Sequence, residues 1–163
     1  MERQVLGRTG RLVSVVGLGT WQLGAGWGAV SEDAARAVLD ASAQAGVTFF
    51  DTADVYGDGR SEQIIGSYLA DNPGHGITVA TKMGRREPQD ADNYTLAKFR
   101  EWVDRSRRNL RTDRLDLVQL HCPPTAVYSR DEVYDGLDTL VAEGAIASYG
   151  VSVETVDEAL TGI

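Results

Sequence analysis

Four residues whose types could share one reaction stand just past the ends of three short apolar runs. Asp51 and Tyr56 follow Val47–Phe50, Lys82 follows Ile77–Ala80, and His121 follows Leu115–Leu120. A tyrosine has a reference pKa near ~10, which makes it a poor proton donor at neutral pH unless its phenolate is stabilised. A nearby lysine cation does that and lowers the value. A carboxylate such as Asp51 would hold the lysine charged and in place, and a histidine could hydrogen-bond and orient a substrate oxygen. The set suits a reaction that protonates an oxygen, with Tyr56 as general acid in the reducing direction and general base in the oxidising one. None of the four can supply electrons, so a redox cofactor would carry the hydride. Taken singly, Asp51 reads as a turn-former, Lys82 as a surface lysine, Tyr56 as a core aromatic and His121 as a satisfied core histidine. It is their joint placement at equivalent ends that points to a site.

The elements that must position them alternate along the chain. The apolar runs Val13–Leu18, Val47–Phe50, Ile77–Ala80, Leu115–Leu120 and Ile146–Val151 are too short for helices and lack period-2 alternation. That pattern suits strands covered on both faces, as in parallel sheets. Between them lie amphipathic stretches with helix-start signals. Ser31 precedes EDAARAVLDASAQ, Ser61 precedes EQIIGSYLAD, and Thr95 precedes LAKFREWVDRSRRNL. Ser129 to Glu132 reads as a capping box before a helix reaching Ala142, and Thr155 to Glu158 as another. The strands recur about every 30 to 38 residues, the size of a βα unit. The expected fold is α/β, with five such units preceded by a hairpin of Gln4–Leu6 and Leu12–Val13 around Gly7–Gly10. In parallel α/β folds, ligands bind at the C-terminal ends of the strands. Gly19, Thr20, Trp21 and Ser152 occupy that same end.

Composition excludes several classes. The chain has 163 residues, 42% hydrophobic and 25% charged, an ordinary globular mixture. A formal charge of −8 with no basic run argues against nucleic acid or an anionic membrane as partner. No apolar run approaches the ~20 residues of a membrane helix, and the start shows no signal sequence, so a cytoplasmic location is expected. Cys122 is the lone cysteine, and no metal site is expected. Gly17-Leu18-Gly19 is followed by Gln22 where a dinucleotide fingerprint needs its third glycine, and Gly24 to Gly28 has the wrong spacing. His75 reads as a loop residue. The arginines at 105, 107, 108, 111 and 114 read as a structural cluster at a helix C-terminus, with phosphate binding as the minor alternative.

At this point the chain resembles the aldo-keto reductase superfamily, NADP(H)-dependent oxidoreductases on a (β/α)₈ TIM barrel. VLGRTGRLVSVVGLGTWQLG is similar to the family's hairpin and first strand, and FFDTADVYGDGRSEQIIG to its signature around the aspartate and tyrosine. VATKMG, LDLVQLHCPP and IASYGVS match the third to fifth strands. The resemblance implies a catalytic tetrad of Asp51, Tyr56, Lys82 and His121. It implies transfer of the pro-R hydride from nicotinamide C4 to an aldehyde or ketone, giving an alcohol. It places Gly19, Thr20, Trp21, Asp51 and Ser152 at the cofactor, with Ser152 on the carboxamide, and makes a small carbonyl compound the substrate. Trp21, Trp27 and Tyr56 suggest a partly aromatic pocket.

Two departures matter. Val153 stands where the family usually has asparagine. The chain also ends after five units, whereas such a barrel has eight and about 250 residues. Residues 1–163 therefore read as the N-terminal part of the domain, truncated before strands 6 to 8. An unclosed barrel would leave Val15, Val16 and Leu18 on one open edge and Ile146 and Tyr149 on the other, surfaces suited to self-association. The alternative functional reading is a catalytically inactive fragment, or a non-catalytic accessory subunit with this fold.

Overall fold

The computed structural model describes residues 1–24 and 28–162. Strands β1 (Arg3–Val5) and β2 (Leu12–Ser14) pair antiparallel as the expected hairpin. The rest is a parallel sheet in chain order: β3 (Leu18–Gly19), β4 (Phe49–Asp51), β5 (Thr78–Met83), β6 (Leu117–His121) and β7 (Tyr149–Ser152). Each strand leads into a helix: α1 (Glu32–Gln44), α2 (Arg60–Asp71), α3 (Leu96–Leu110), α4 (Asp131–Ala142) and α5 (Val156–Thr161). Five βα units follow the hairpin, and β3 and β7 are the sheet's two edges, as in a barrel that has not closed.

The first apolar run is divided between two sheets rather than forming one strand. Val13 and Ser14 belong to the hairpin, and the parallel strand is only Leu18–Gly19. Ser14 explains the break: its N–H donates to Thr48 Oγ1 at 2.9 Å, and its Oγ accepts from the Thr48 N–H at 2.8 Å. The chain then passes so close to β4 that a Cβ on Gly17 would lie 2.9 Å from the Phe49 ring.

Three helix starts follow their caps. Ser31 accepts from the Ala34 N–H, Thr95 from Lys98, and Thr155 forms a complete capping box with Glu158. The other two differ from the sequence expectation. Helix α2 begins at Arg60 behind Gly59 (φ 95°), which places Ser61 inside the helix and fully buried. Its hydroxyl is needed elsewhere, as described below. Helix α4 begins at Asp131 with no side-chain cap, because Ser129 ends a 3₁₀ turn over Thr125–Ser129 and bonds back to the Ala126 carbonyl.

The core lies between sheet and helices and contains Phe50, Ile65, Phe99, Val118, Leu120, Leu137 and Leu140, all buried. Each such side chain contributes roughly 1.5–3 kcal/mol by leaving water. All six residues of β5 are buried, as a strand covered on both faces requires. Helices α2 and α3 meet at Gly66, where a Cβ would sit 2.4 Å from the Asn109 carbonyl oxygen. At the open edges, Val15 and Val16 are exposed as expected. Ile146 is not: it bridges Leu115 in parallel and is buried in the core. Tyr149 is half-buried, and its hydroxyl donates to Asp138 at 2.8 Å. No helix among the described residues is long and apolar enough to cross a membrane.

Candidate active site

Parallel register aligns the strand ends. Gly19 lies opposite Asp51, and His121 opposite Ser152. Lys82, in β5 between them, is buried. Its ammonium donates to Asp51 Oδ1 at 2.5 Å and to the Thr52 carbonyl at 3.0 Å. The same Nζ lies 5.5 Å from the centre of the Tyr56 ring, within the ~6 Å range of a cation–π contact. The Tyr56 ring meets the His121 ring edge-on at 5.9 Å and the Trp21 ring at 6.3 Å. Asp51, Tyr56, Lys82 and His121 are thus brought together from three strands' ends.

The loop carrying Tyr56 is fixed from below. Thr52 Oγ1 donates to Ser61 Oγ at 3.0 Å, Ser61 to Thr20 Oγ1 at 2.9 Å, and Thr20 to the Asp51 carbonyl at 2.8 Å. Gly57 adopts φ 62°, and a Cβ there would collide with Gly24 O at 2.3 Å. Arg60 clamps the same region by donating to the carbonyls of Leu23 and Val30.

Electrostatics depart from the sequence expectation at one point. Burial pushes the Tyr56 phenol above its ordinary value, the Asp51 carboxylate adds to the rise, and Arg85 partly offsets it. The rise stands although Lys82 Nζ lies 5.5 Å from the ring, and that ammonium is paired with Asp51 at 2.5 Å. The resting phenol is therefore protonated. His121 goes the other way: burial, then the Lys82 and Arg85 cations, lower it to about 4, so the imidazole is neutral. Its Nδ1 is buried without a hydrogen-bond partner among the described residues. An orphaned lone pair is tolerated better than an orphaned N–H, which places the proton on Nε2.

The residues expected at the cofactor divide. Gly19 and Trp21 are exposed, and the Asp51 carboxyl is partly open. Ser152 ends β7, its Oγ 3.3 Å from Cys122 Sγ. Thr20 is buried, and its hydroxyl serves the internal chain just described. Trp27 lies outside the described residues. No group of residues able to hold a metal ion occurs among the described residues. Sequence reasoning passed over Asp54 and Glu62, both buried. Cys122, read from the sequence only as the lone cysteine, takes φ 44° beside His121. The signal was available for the first two: acids inside the DTADVYG and SEQIIG stretches interrupt what packs as core.

The pattern of the Aldo/keto reductase family matches residues 15–161. The chain is 35% identical over 156 residues to the uncharacterized oxidoreductase YqkF of Bacillus subtilis, covering 93% of this chain and 49% of that protein. Among solved structures, it superposes on the aldo-keto reductase AKR11C1 of Bacillus halodurans in its holo form with a TM-score of 0.81. The identity there is 34%, over 94% of this chain and 50% of that one. An aldo-keto reductase of Klebsiella pneumoniae solved with NADPH gives a TM-score of 0.79 at 26% identity, over 99% of this chain and 53% of that one. The chain spans about half the length of the curated relatives it matches. The sequence pattern, the order of the parallel strands and these superpositions agree: the chain belongs to the aldo/keto reductase family.

Proposed function

We propose that this chain carries the proton-transfer machinery of an NADP(H)-dependent oxidoreductase that reduces aldehydes or ketones to alcohols, with Tyr56 as general acid. Residues 1–163 are, in this reading, the N-terminal part of the reductase domain. The observation that carries it is the placement of Lys82: fixed by Asp51 and Thr52, it lies 5.5 Å from the ring of a tyrosine that also meets His121.

Each residue has a separate task. Tyr56 rests protonated, as a donor must, and gives its proton to the substrate oxygen as that oxygen gains charge. Lys82 then faces the phenolate it leaves. His121, neutral with its proton on Nε2, donates a hydrogen bond that holds the same oxygen. Asp51 keeps Lys82 from turning away. The donors and acceptors at the strand ends fit a nicotinamide half: the partly open Asp51 carboxylate suits a ribose hydroxyl, and the Ser152 hydroxyl a carboxamide. Gly19, Asp51, Trp21 and Ser152 would hold the cofactor, with Thr20 supporting them from behind. When bound, the cofactor supplies the hydride. The Klebsiella relative solved with NADPH supports that choice.

Tyr56→Phe should lower turnover of an aromatic aldehyde by about 10²–10⁴-fold, the contribution of a positioned acid. NADPH affinity, followed by fluorescence, should be unchanged. Turnover retained in that variant would refute the assignment.

A further inference from the structure

Beneath these residues lie two carboxyl groups that the proton transfer does not use. Glu62, in the first turn of α2, is fully buried. Its Oε1 accepts from the Thr81 hydroxyl at 2.6 Å, and its Oε2 from the Asn109 amide at 2.8 Å. Both oxygens therefore meet donors, the arrangement an ionised carboxylate needs. Asp54 has no such support. It is 1% exposed, and its Oδ1 is buried with no hydrogen-bond partner among the described residues. Its position is nonetheless tight: its N–H donates to the Lys82 carbonyl at 3.0 Å, and two residues later the chain reaches Tyr56.

The charges around Asp54 come from several elements. Glu62 faces it from α2, Arg105 from α3, Arg86 from the segment after β5, and Tyr94 from the turn before α3. Both arginines are engaged by Asp58, at 2.6 Å from Arg86 and 3.0 Å from Arg105. Both guanidinium groups oppose a rise at Asp54, and Glu62 is the neighbouring charge that acts in the same direction as burial. A buried ionised carboxylate with an orphan oxygen beside a second carboxylate is strongly unfavourable, whereas a neutral acid is not. Burial and Glu62 together push the Asp54 carboxyl up to about 7.

We propose that Asp54 is a positioning residue: held as a neutral acid beside Glu62, it keeps the Tyr56 loop seated on Lys82, and its ionisation unseats that loop. The proposal rests on the roles given to Tyr56 and Lys82 above, but its main test does not require turnover. In the labelled 163-residue chain, carbon-13 NMR follows the Asp54 carboxyl while the Tyr56 ring and Lys82 Nζ signals are observed through the same pH range. Asp54 should titrate near neutrality, and both other signals should move in the same step. Asp54→Asn should abolish that step and hold both signals at their low-pH positions. Glu62→Gln should lower the Asp54 midpoint. Titration of Asp54 in the ordinary carboxylate range would overturn the proposal, as would Tyr56 and Lys82 signals that stay still through its step. Where Asp54→Asn fails to fold, the native titration and Glu62→Gln decide. A parallel NADPH-dependent assay separates the two readings. If the NMR step is present while Tyr56→Phe leaves turnover unchanged, the reductase reading fails and the coupling of Asp54 to Lys82 and Tyr56 is upheld. If turnover is present, kcat should fall through the same step in the native chain and not in Asp54→Asn, with KM for NADPH unaltered.

Discussion

The region from β4 through α2 to β5 and the region from β7 into α5 contribute to the same site and are built very differently. In the first, Phe50, Thr52, Ala53, Asp54, Ser61, Glu62 and Lys82 are all buried, and the hydroxyls of Thr52 and Ser61 and the Lys82 ammonium are hydrogen-bonded. In the second, all four residues of β7 are only partly buried and α5 has no buried residue. Val156 and Leu160 stand 74% and 68% exposed. What holds α5 is its own capping box and a bond from Thr125 to Glu158. Tyr56, the proposed proton donor, thus sits on a densely bonded base, whereas Ser152, the expected carboxamide partner, sits on a lightly supported strand. Preorganisation is invested where charge must be controlled.

That contrast can be broken by substitution. Phe50→Ala, at a fully buried position in the first region, should cost about 3–5 kcal/mol in chemical denaturation. The next effect, about 3 kcal/mol, is a pH dependence from His121. Its folded value lies near 4, below the ordinary 6.5, so the unfolded chain takes up the proton first as pH falls. The associated stability is complete above pH 6.5 and lost as pH falls towards 4. Asp54 acts oppositely. Its folded value near 7 makes its contribution full below the ordinary carboxylate range and lost as pH rises through 7. Between these limits the two oppose each other. The native chain should show a flatter stability profile than either His121→Asn, which should gain stability on acidification, or Asp54→Asn, which should lose it. Thermal melts across that pH range decide this. In the second region, Thr155→Ala should cost about 1 kcal/mol through the lost cap. Leu160→Ser should stay within ~0.5 kcal/mol. An α5 substitution as costly as Phe50→Ala would end the distinction.

Much of this was legible in the sequence. Parallel strands are nearly continuous apolar runs, and helices announce their starts through side-chain caps, so the five units and the starts at Ser31, Thr95 and Thr155 could be read locally. The errors arose where tertiary demand overrode a local signal. Ser61 looks like a cap, but its hydroxyl is drawn inward to bridge Thr52 and Thr20. The run Val13–Leu18 reads as one strand, but Ser14, bonded to Thr48, ends the hairpin strand before the parallel strand begins at Leu18. Asp51, Tyr56, Lys82 and His121 stood out because such residue types are unusual together at strand ends. The rise of the Tyr56 phenol did not, since it depends on burial and on the Asp51 charge nearby, which no spacing reveals.

The strand order of the sheet is also the order of the chain. Each strand docks beside the one synthesised just before it, so the site can assemble as the polypeptide emerges. Asp51 can find Lys82 once β5 is out, before His121 has emerged. The lysine–carboxylate contact would then be among the earliest long-range interactions of the nascent chain, and the imidazole would arrive against a tyrosine already in place.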